Sequence, residues 1–314
     1  MPIDLLVVLE MPQYSRDHLA EHYTVHYWPN PADHPRLLSD SLAKKIRAVQ
    51  TNGSYGLKRR YIEAMPALEI ICAVGAGFEG IDVEAARERG IVVTNGAGAN
   101  AASVAEQAWA LLLATVRQVP WCDRAVREGR WDEARKIVPS VTGKKLGIFG
   151  LGHVGQQMAK RGAHGFDMEV GYCSRTRRTD VDYRHFDRLE DLATWCDVLM
   201  IAAPGGPETH HAVNRDILRA LGPDGYLINV ARGSLVDSNA LIDALREERI
   251  AGAGLDVIEG EPAVPAGFRD LDRLVLSPHI GAYSPEAIRS MIHKVRANLD
   301  AHFAGKPVLS PIPV

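Results

Sequence analysis

Cysteine is scarce in this sequence. Cys72, Cys122, Cys173 and Cys196 are scattered through 314 residues, too few and too far apart for a disulfide framework. None forms a CxxC pair or a metal-ligand spacing, so they read as reduced thiols of a cytoplasmic protein, and no metal site is expected. Long hydrophobic runs are lacking too. The longest, "AWALLLATV", is half a membrane span at best, and "MPIDLLVVLE" places Asp4 where a secretory leader needs basic residues. A soluble protein with no membrane partner is expected. Nor is there an excess of one charge: 36 Lys+Arg against 39 Asp+Glu leave a formal net charge of −3. That balance gives no general reason to expect nucleic acid as a partner. Low-complexity segments, flexible linkers and evident internal repeats are missing as well.

What the chain does have is alternation. Short β-branched runs, "IDLLVVL" (3–9), "YTVHYW" (23–28), "RAVQT" (47–51), "LEIICAVG" (68–75) and "IVVTN" (91–95), are separated by helix-like stretches such as "LKRRYIEAM" and "DVEAARERG". A second series runs through "KKLGIFG", "MEVGYC", "DVLMIAA", "GYLINVA", "IAGAGLDV" and "RLVLSPH". Apolar runs buried on both faces and joined by amphipathic helices indicate βαβ units and parallel sheets. Within "VDSNALIDALREERI", Val236, Ala240, Leu241, Ala244 and Leu245 share one helical face, with Asp237 placed to cap. The spacing predicts a long helix over 100–119, ending at Pro120 and carrying the chain between the two series. Ser284 and Pro285 mark another helix start, followed by a stripe of Ile288, Met291, Ile292, Val295 and Leu299. That helix is expected to return to the first domain. The fold class is therefore α/β, with two Rossmann-like, doubly wound parallel-sheet domains and an active site expected in the cleft between them. Residues 1–99 plus 285–314 form the expected substrate-binding domain, and 100–284 the dinucleotide-binding domain.

Gly150, Gly152 and Gly155 form G-x-G-x-x-G directly after an apolar strand and at the opening of a helix. In that context the first glycine permits the tight turn and the second lets backbone approach a pyrophosphate. The third lets helix and strand pack closely, with the helix N-terminus facing the anion. About twenty residues further on, the second strand meets the adenosine ribose, where an acidic residue would select NAD. This chain offers Ser174, Arg175 and Thr176 there, then Arg177 and Arg178, and no acid at that position. A guanidinium and a hydroxyl welcome a 2′-phosphate. One charge-assisted hydrogen bond is worth roughly 1.5–3 kcal/mol, about one to two decades of preference. NADP(H) is the expected cofactor, with NAD(H) as the alternative.

Three loops that follow strands of the second domain carry "NVARGSLVD", "GLDVIEGEP" and "LSPHIGAYSPEA". Ligands of open parallel sheets bind beyond the carboxyl ends of strands, so Arg232, Glu261 and His279 belong on the cofactor side. Arginine grips a carboxylate bidentately. Histidine exchanges one proton near neutral pH. A carboxylate beside it orients the ring and stabilises its protonated form. Together they suit reduction of a 2-keto acid by hydride.

These stretches, with "GLGHVG", "VGAGFEGID" and "NGAGANAASVAE", resemble the D-isomer-specific 2-hydroxyacid dehydrogenase family. They are most similar to its glyoxylate/hydroxypyruvate reductase branch, in which a Ser-Arg-Thr type loop goes with NADPH. The similarity spans nearly the whole chain. The resemblance implies an NAD(P)-dependent 2-keto acid reductase, with a small 2-keto or 2-hydroxy acid as its partner molecule. It makes Arg232 the grip on the substrate carboxylate and keto oxygen, His279 the general acid, and Glu261 its partner. It assigns the cofactor to Gly150, Leu151, Gly152, His153, Val154, Gly155, Ser174, Arg175, Thr176 and Ala231, and gives Asp256 the nicotinamide carboxamide. Backbone N–H groups around Val74, Gly75 and Ala76 would receive the substrate carboxylate, and Ser54 and Tyr55 would line the pocket. A homodimer is implied, with "AWALLLATV" as a fitting surface. Sibling NAD-dependent phosphoglycerate, formate or phosphite dehydrogenases share the scaffold, as do nucleotide-sensing co-repressors. The basic loop argues against the first group, and the lack of added partner-binding segments against the second. There are two departures: Gly205–Gly206 after Pro204, where the family usually has a leucine and a polar residue, and His153 within the fingerprint, where an arginine or another residue is common.

Overall fold

Five strands near the N-terminus form one parallel sheet in the computed structural model, which describes residues 3–312. They are β1 (Ile3–Val7), β2 (Tyr23–Tyr27), β3 (Ala48–Thr51), β4 (Ile70–Ala73) and β5 (Val92–Thr94), ordered β2-β1-β3-β4-β5. Helices α1 (Gln13–Ala20), α2 (Arg59–Ala64) and α3 (Val83–Glu88) connect them. Every residue of β3 and β4 is buried; β4 accordingly reads as an unbroken apolar run, while β3 also buries the polar Gln50 and Thr51. One compact unit takes the residues before Ala101 and those from Pro285 onward; the other takes Ala101–Ser284.

The second unit is built on α4 (Ala101–Val116), α5 (Val119–Arg127) and α6 (Trp131–Ala134), followed by a seven-stranded parallel sheet. Its strands are β6 (Lys145–Phe149), β7 (Glu169–Cys173), β8 (Arg184–Phe186), β9 (Val198–Ile201), β10 (Tyr226–Asn229), β11 (Gly252–Leu255) and β12 (Leu274–Leu276). Interleaved are α7 (His153–Gly165), α8 (Leu189–Trp195), α9 (Arg215–Leu221) and α10 (Ser238–Arg246). The order β12-β11-β10-β9-β6-β7-β8 reverses direction between β6 and β9, and such a switch point is where open sheets bind ligands. Asp237 caps α10 by accepting from the N–H groups of Asn239 and Ala240, both at 3.0 Å. Val236, Ala240, Leu241, Ala244 and Leu245 are buried; a Leu side chain so buried contributes about 1.5–3 kcal/mol.

Two local expectations are corrected. Pro120 does not end the long helix; α4 stops at Val116, Gln118 turns left-handed at φ 53°, and Pro120 sits in the first turn of α5. A proline there loses no hydrogen bond, because the first-turn N–H has no helical partner. The apolar run 108–116 is taken up by the unit's own core: Ala108, Trp109, Leu111, Leu112, Thr115 and Val116 are buried and only Ala110 is exposed. In the first unit, α11 (Pro285–Phe303) buries Met291, Ile292, Val295 and Leu299, packs against β4, and receives a 2.5 Å hydrogen bond from Tyr23 Oη to Asp300. No helix among the described residues is long and apolar enough to cross a membrane.

Candidate active site

The glycine turn joins β6 to α7 at the switch point. Gly150 has φ +96°, a conformation side chains resist, and an added Cβ would lie 2.5 Å from Ala203 N at the end of β9. At Gly155 a Cβ would meet Gly150 O at 2.2 Å, so this glycine lets the helix rest on the turn. Gly152 is different. It stands exposed at the N-cap of α7, makes no side-chain cap, and a Cβ there would meet nothing within 4 Å. The uncapped N-terminus of a thirteen-residue helix thus faces open space, which is what a pyrophosphate requires. Leu151 is buried beneath the turn, His153 is exposed and Val154 half-buried. These residues fit a dinucleotide.

β7 ends at Cys173, and the basic loop follows. Ser174 Oγ donates to Thr176 O at 2.8 Å, tightening the turn. The Arg175 side chain is 82% exposed and lies 3.6 Å from Glu208 in the turn after β9. Arg177 is exposed. Arg178 is otherwise engaged: its Nε donates to Asp180 at 2.8 Å and its backbone N–H to Tyr172 Oη at 2.9 Å. Of the three arginines, Arg178 therefore shapes the loop.

Beyond β10, β11 and β12 the expected catalytic groups lie in one unit. His279 Nδ1 is 2.6 Å from Glu261 Oε1, with the two side chains 38% and 36% exposed. Burial pushes the Glu261 carboxyl up; the hydrogen bond and charge of His279, with Ile258 N–H and Arg232, hold it below its ordinary value. Arg232 thus acts on the same carboxylate. Its turn is pressed against the Glu261 loop, since a Cβ on Gly233 would fall 2.1 Å from the Ile258 carbonyl carbon. His279 sits at φ +55°, a strained conformation for a non-glycine residue of the kind that clusters at functional sites. Its N–H donates to Asp256 O at 2.7 Å.

Two buried residues hold this arrangement. Asn229, at the end of β10, accepts from Ala231 N–H at 3.0 Å and donates to Arg232 O at 2.9 Å. Nothing in the sequence singled it out beyond its place before "VAR". Asp256 is only 2% exposed. Its carboxylate accepts from Ser277 Oγ at 2.6 Å, Ile280 N–H at 3.0 Å and Gly281 N–H at 2.8 Å. Asp256, expected at the nicotinamide carboxamide, thus also clamps the turn that carries His279.

In the first unit Val74, Gly75 and Ala76 follow β4, and the structure corrects one of them. Val74 N–H donates to Thr51 O at 2.9 Å, extending the β3–β4 ladder, so it is not available to a carboxylate. Gly75 and Ala76 come next, half-buried and exposed. Ser54 and Tyr55 are exposed on a turn where Tyr55 N–H donates to Asn52 Oδ1 at 2.7 Å.

The family model for the D-isomer specific 2-hydroxyacid dehydrogenase NAD binding domain matches residues 109–281. The chain is 38% identical over 312 residues to a hydroxyphenylpyruvate reductase of Plectranthus scutellarioides, covering 99% of both. Identity is also 38% over 312 residues, with 99% of both covered, to glyoxylate/hydroxypyruvate reductase A of Arabidopsis thaliana. Among solved structures, the NADPH-dependent glyoxylate/hydroxypyruvate reductase of Sinorhizobium meliloti, in complex with NADP and malonate, superposes with a TM-score of 0.91 at 35% identity. That match covers 99% of this chain and 97% of the other.

Proposed function

We infer that this chain, which belongs to the D-isomer-specific 2-hydroxyacid dehydrogenase family, reduces a small 2-keto acid of the glyoxylate or hydroxypyruvate kind to the D-2-hydroxy acid with NADPH. The observation that carries the assignment is the 2.6 Å contact between Glu261 and an imidazole still 38% exposed.

When bound, NADPH supplies the hydride. Gly152 and the first turn of α7 hold its pyrophosphate, and Ser174 and Arg175 its 2′-phosphate. Arg232 grips the substrate carboxylate and polarises the keto oxygen. In the first unit, the Gly75 and Ala76 N–H groups are the candidate donors to a carboxylate, and Ser54 and Tyr55 are the candidate contacts for the rest of an acid. Protonated His279 keeps its Nδ1–H on Glu261, which leaves Nε2–H to donate to the oxygen as negative charge develops there. A proton so positioned contributes on the order of 10²–10⁴-fold. Asp256 is a positioning residue: it fixes the turn from which that proton is delivered.

Four free cysteines suit a reducing compartment, and the cytoplasm is the location we propose. For the homodimer we propose, Val119, Val126, Trp131 and Ile137, exposed in and after α5 and α6, are among the apolar side chains available to a second copy.

The test is initial rates of NADPH and NADH oxidation with glyoxylate, hydroxypyruvate, 2-ketogluconate and phenylpyruvate, for the wild type and Arg175→Asp. The wild type is expected to prefer NADPH and to turn over the small acids. The variant is expected to lose about one to two decades of that preference, the worth of one charge-assisted hydrogen bond. An unchanged preference would remove Arg175 from the cofactor site, and no turnover with any acid would overturn the reductase assignment.

A further inference from the structure

His210, His211 and Glu259 form a cluster that the reduction does not use. His211 Nε2 lies 2.7 Å from Glu259 Oε1. The two imidazoles stack with centroids 3.9 Å apart and planes 29° apart. One ligand atom from each of the three residues lies within 4.8 Å of the others. Consecutive side chains on extended backbone point to opposite sides. Here His211 is held left-handed at φ 50°, with its N–H donating to Ser234 O at 2.8 Å, and the two rings come face to face.

Two imidazole nitrogens and one carboxylate oxygen make a donor set suited to zinc. Coordination at about 2.0–2.2 Å in a tetrahedron sets neighbouring ligand atoms about 3.3–3.6 Å apart. The widest pair therefore has to close by about an ångström, and the 2.7 Å His211–Glu259 contact to open by roughly half an ångström as its shared proton leaves. His210 is exposed and the other two are half-buried, so rotation of the His210 side chain supplies that movement without rearranging the core. The fourth position is left to water. The sequence shows no metal spacing because the donors come from two turns 48 residues apart.

We propose that His210, His211 and Glu259 bind a divalent transition-metal ion of the zinc type, which ties the turn after β9 to the loop carrying Glu261. Glu259 lies two residues before Glu261 in that loop, and the Arg232 turn packs on its backbone through Gly233. A bound ion therefore restrains the loop that orients His279. Because the ion binds the native fold, it stabilises the protein by mass action.

The experiment is calorimetric titration of ZnCl2 into chelator-treated wild type, His210→Asn and Glu259→Gln, with thermal melts alongside. One Zn2+ per chain is expected, with a melting temperature that rises with zinc. Each variant is expected to weaken affinity at least tenfold, and zinc-free His210→Asn to retain its turnover. His210 is exposed and Glu259→Gln is isosteric, so both variants are expected to fold, and Glu259→Gln keeps an acceptor for His211. Absence of zinc uptake overturns the proposal, as does uptake unchanged in both variants, which would put the ion elsewhere. No keto acid enters the titration, so failure of the reductase assignment is read separately.

Discussion

Replacing Glu261 by glutamine removes a charge while keeping shape and an acceptor for His279. Glu261 Oε1 stands 2.6 Å from His279 Nδ1, and the contact holds the carboxyl low despite the opposing effect of burial. A hydrogen bond between charged partners is worth roughly 1.5–3 kcal/mol when shielded. Both side chains are more than one-third exposed, and solvent screening brings that toward about 1 kcal/mol. Lost from the group that delivers the proton, about 1 kcal/mol is roughly fivefold in rate, so kcat/KM for glyoxylate with NADPH is expected to fall by about that factor in Glu261→Gln. The assay is initial rates of NADPH oxidation at about pH 7. An unchanged kcat/KM refutes the pairing as the support of the catalytic proton. Stability supplies a second readout with its own sign. A carboxyl held low in the folded state contributes stability above its unfolded value, and that contribution is lost as pH falls through the lowered one. The melting temperatures of wild type and variant should therefore converge as pH drops below the ordinary value of 4.5.

Gly155→Ala places a methyl 2.2 Å from Gly150 O and is expected to lower both the melting temperature and NADPH affinity, the latter at least tenfold. Gly152→Ala meets open space and should cost affinity alone; fluorescence titration and thermal melts separate the two, and equal melting losses would contradict the geometry. Asp237→Ala removes the α10 cap, worth about 0.5–2 kcal/mol, and should lower the melting temperature by about 2–4 °C per kcal/mol with turnover unchanged. A melt that does not move would mean the two cap hydrogen bonds contribute nothing net.

What the sequence discloses follows from what parallel sheets do to it. β4 and β9 are buried at every position, so they appear as continuous apolar runs, and their carboxyl ends point to where ligands must sit. The glycine turn, the basic loop and the contact between His279 and Glu261 are legible for that reason. β8 is a three-residue edge strand, exposed or half-buried throughout, and carries no such run. Asn229, the clamp at Asp256 and the spent N–H of Val74 are hydrogen-bond facts, set by which backbone groups register brings together, and no local pattern announces them. Glu208 is hidden in the same way, because it meets Arg175 only through the β7-to-β9 arrangement of the sheet. The pair is 3.6 Å apart and about four-fifths exposed on both sides. Glu208 thus competes with a 2′-phosphate for the guanidinium and repels that phosphate as well. An exposed pair of this kind is worth about 0.2–1 kcal/mol, or roughly 1.5- to 5-fold in affinity. Glu208→Gln is therefore expected to lower KM for NADPH by that factor and to leave KM for NADH alone, since NADH lacks the phosphate. The gain should shrink as salt rises past about 0.15 M, where screening lengths fall below about 8 Å. Equal changes with both cofactors would show that Glu208 acts on the fold of its own turn, and the competition argument would fail.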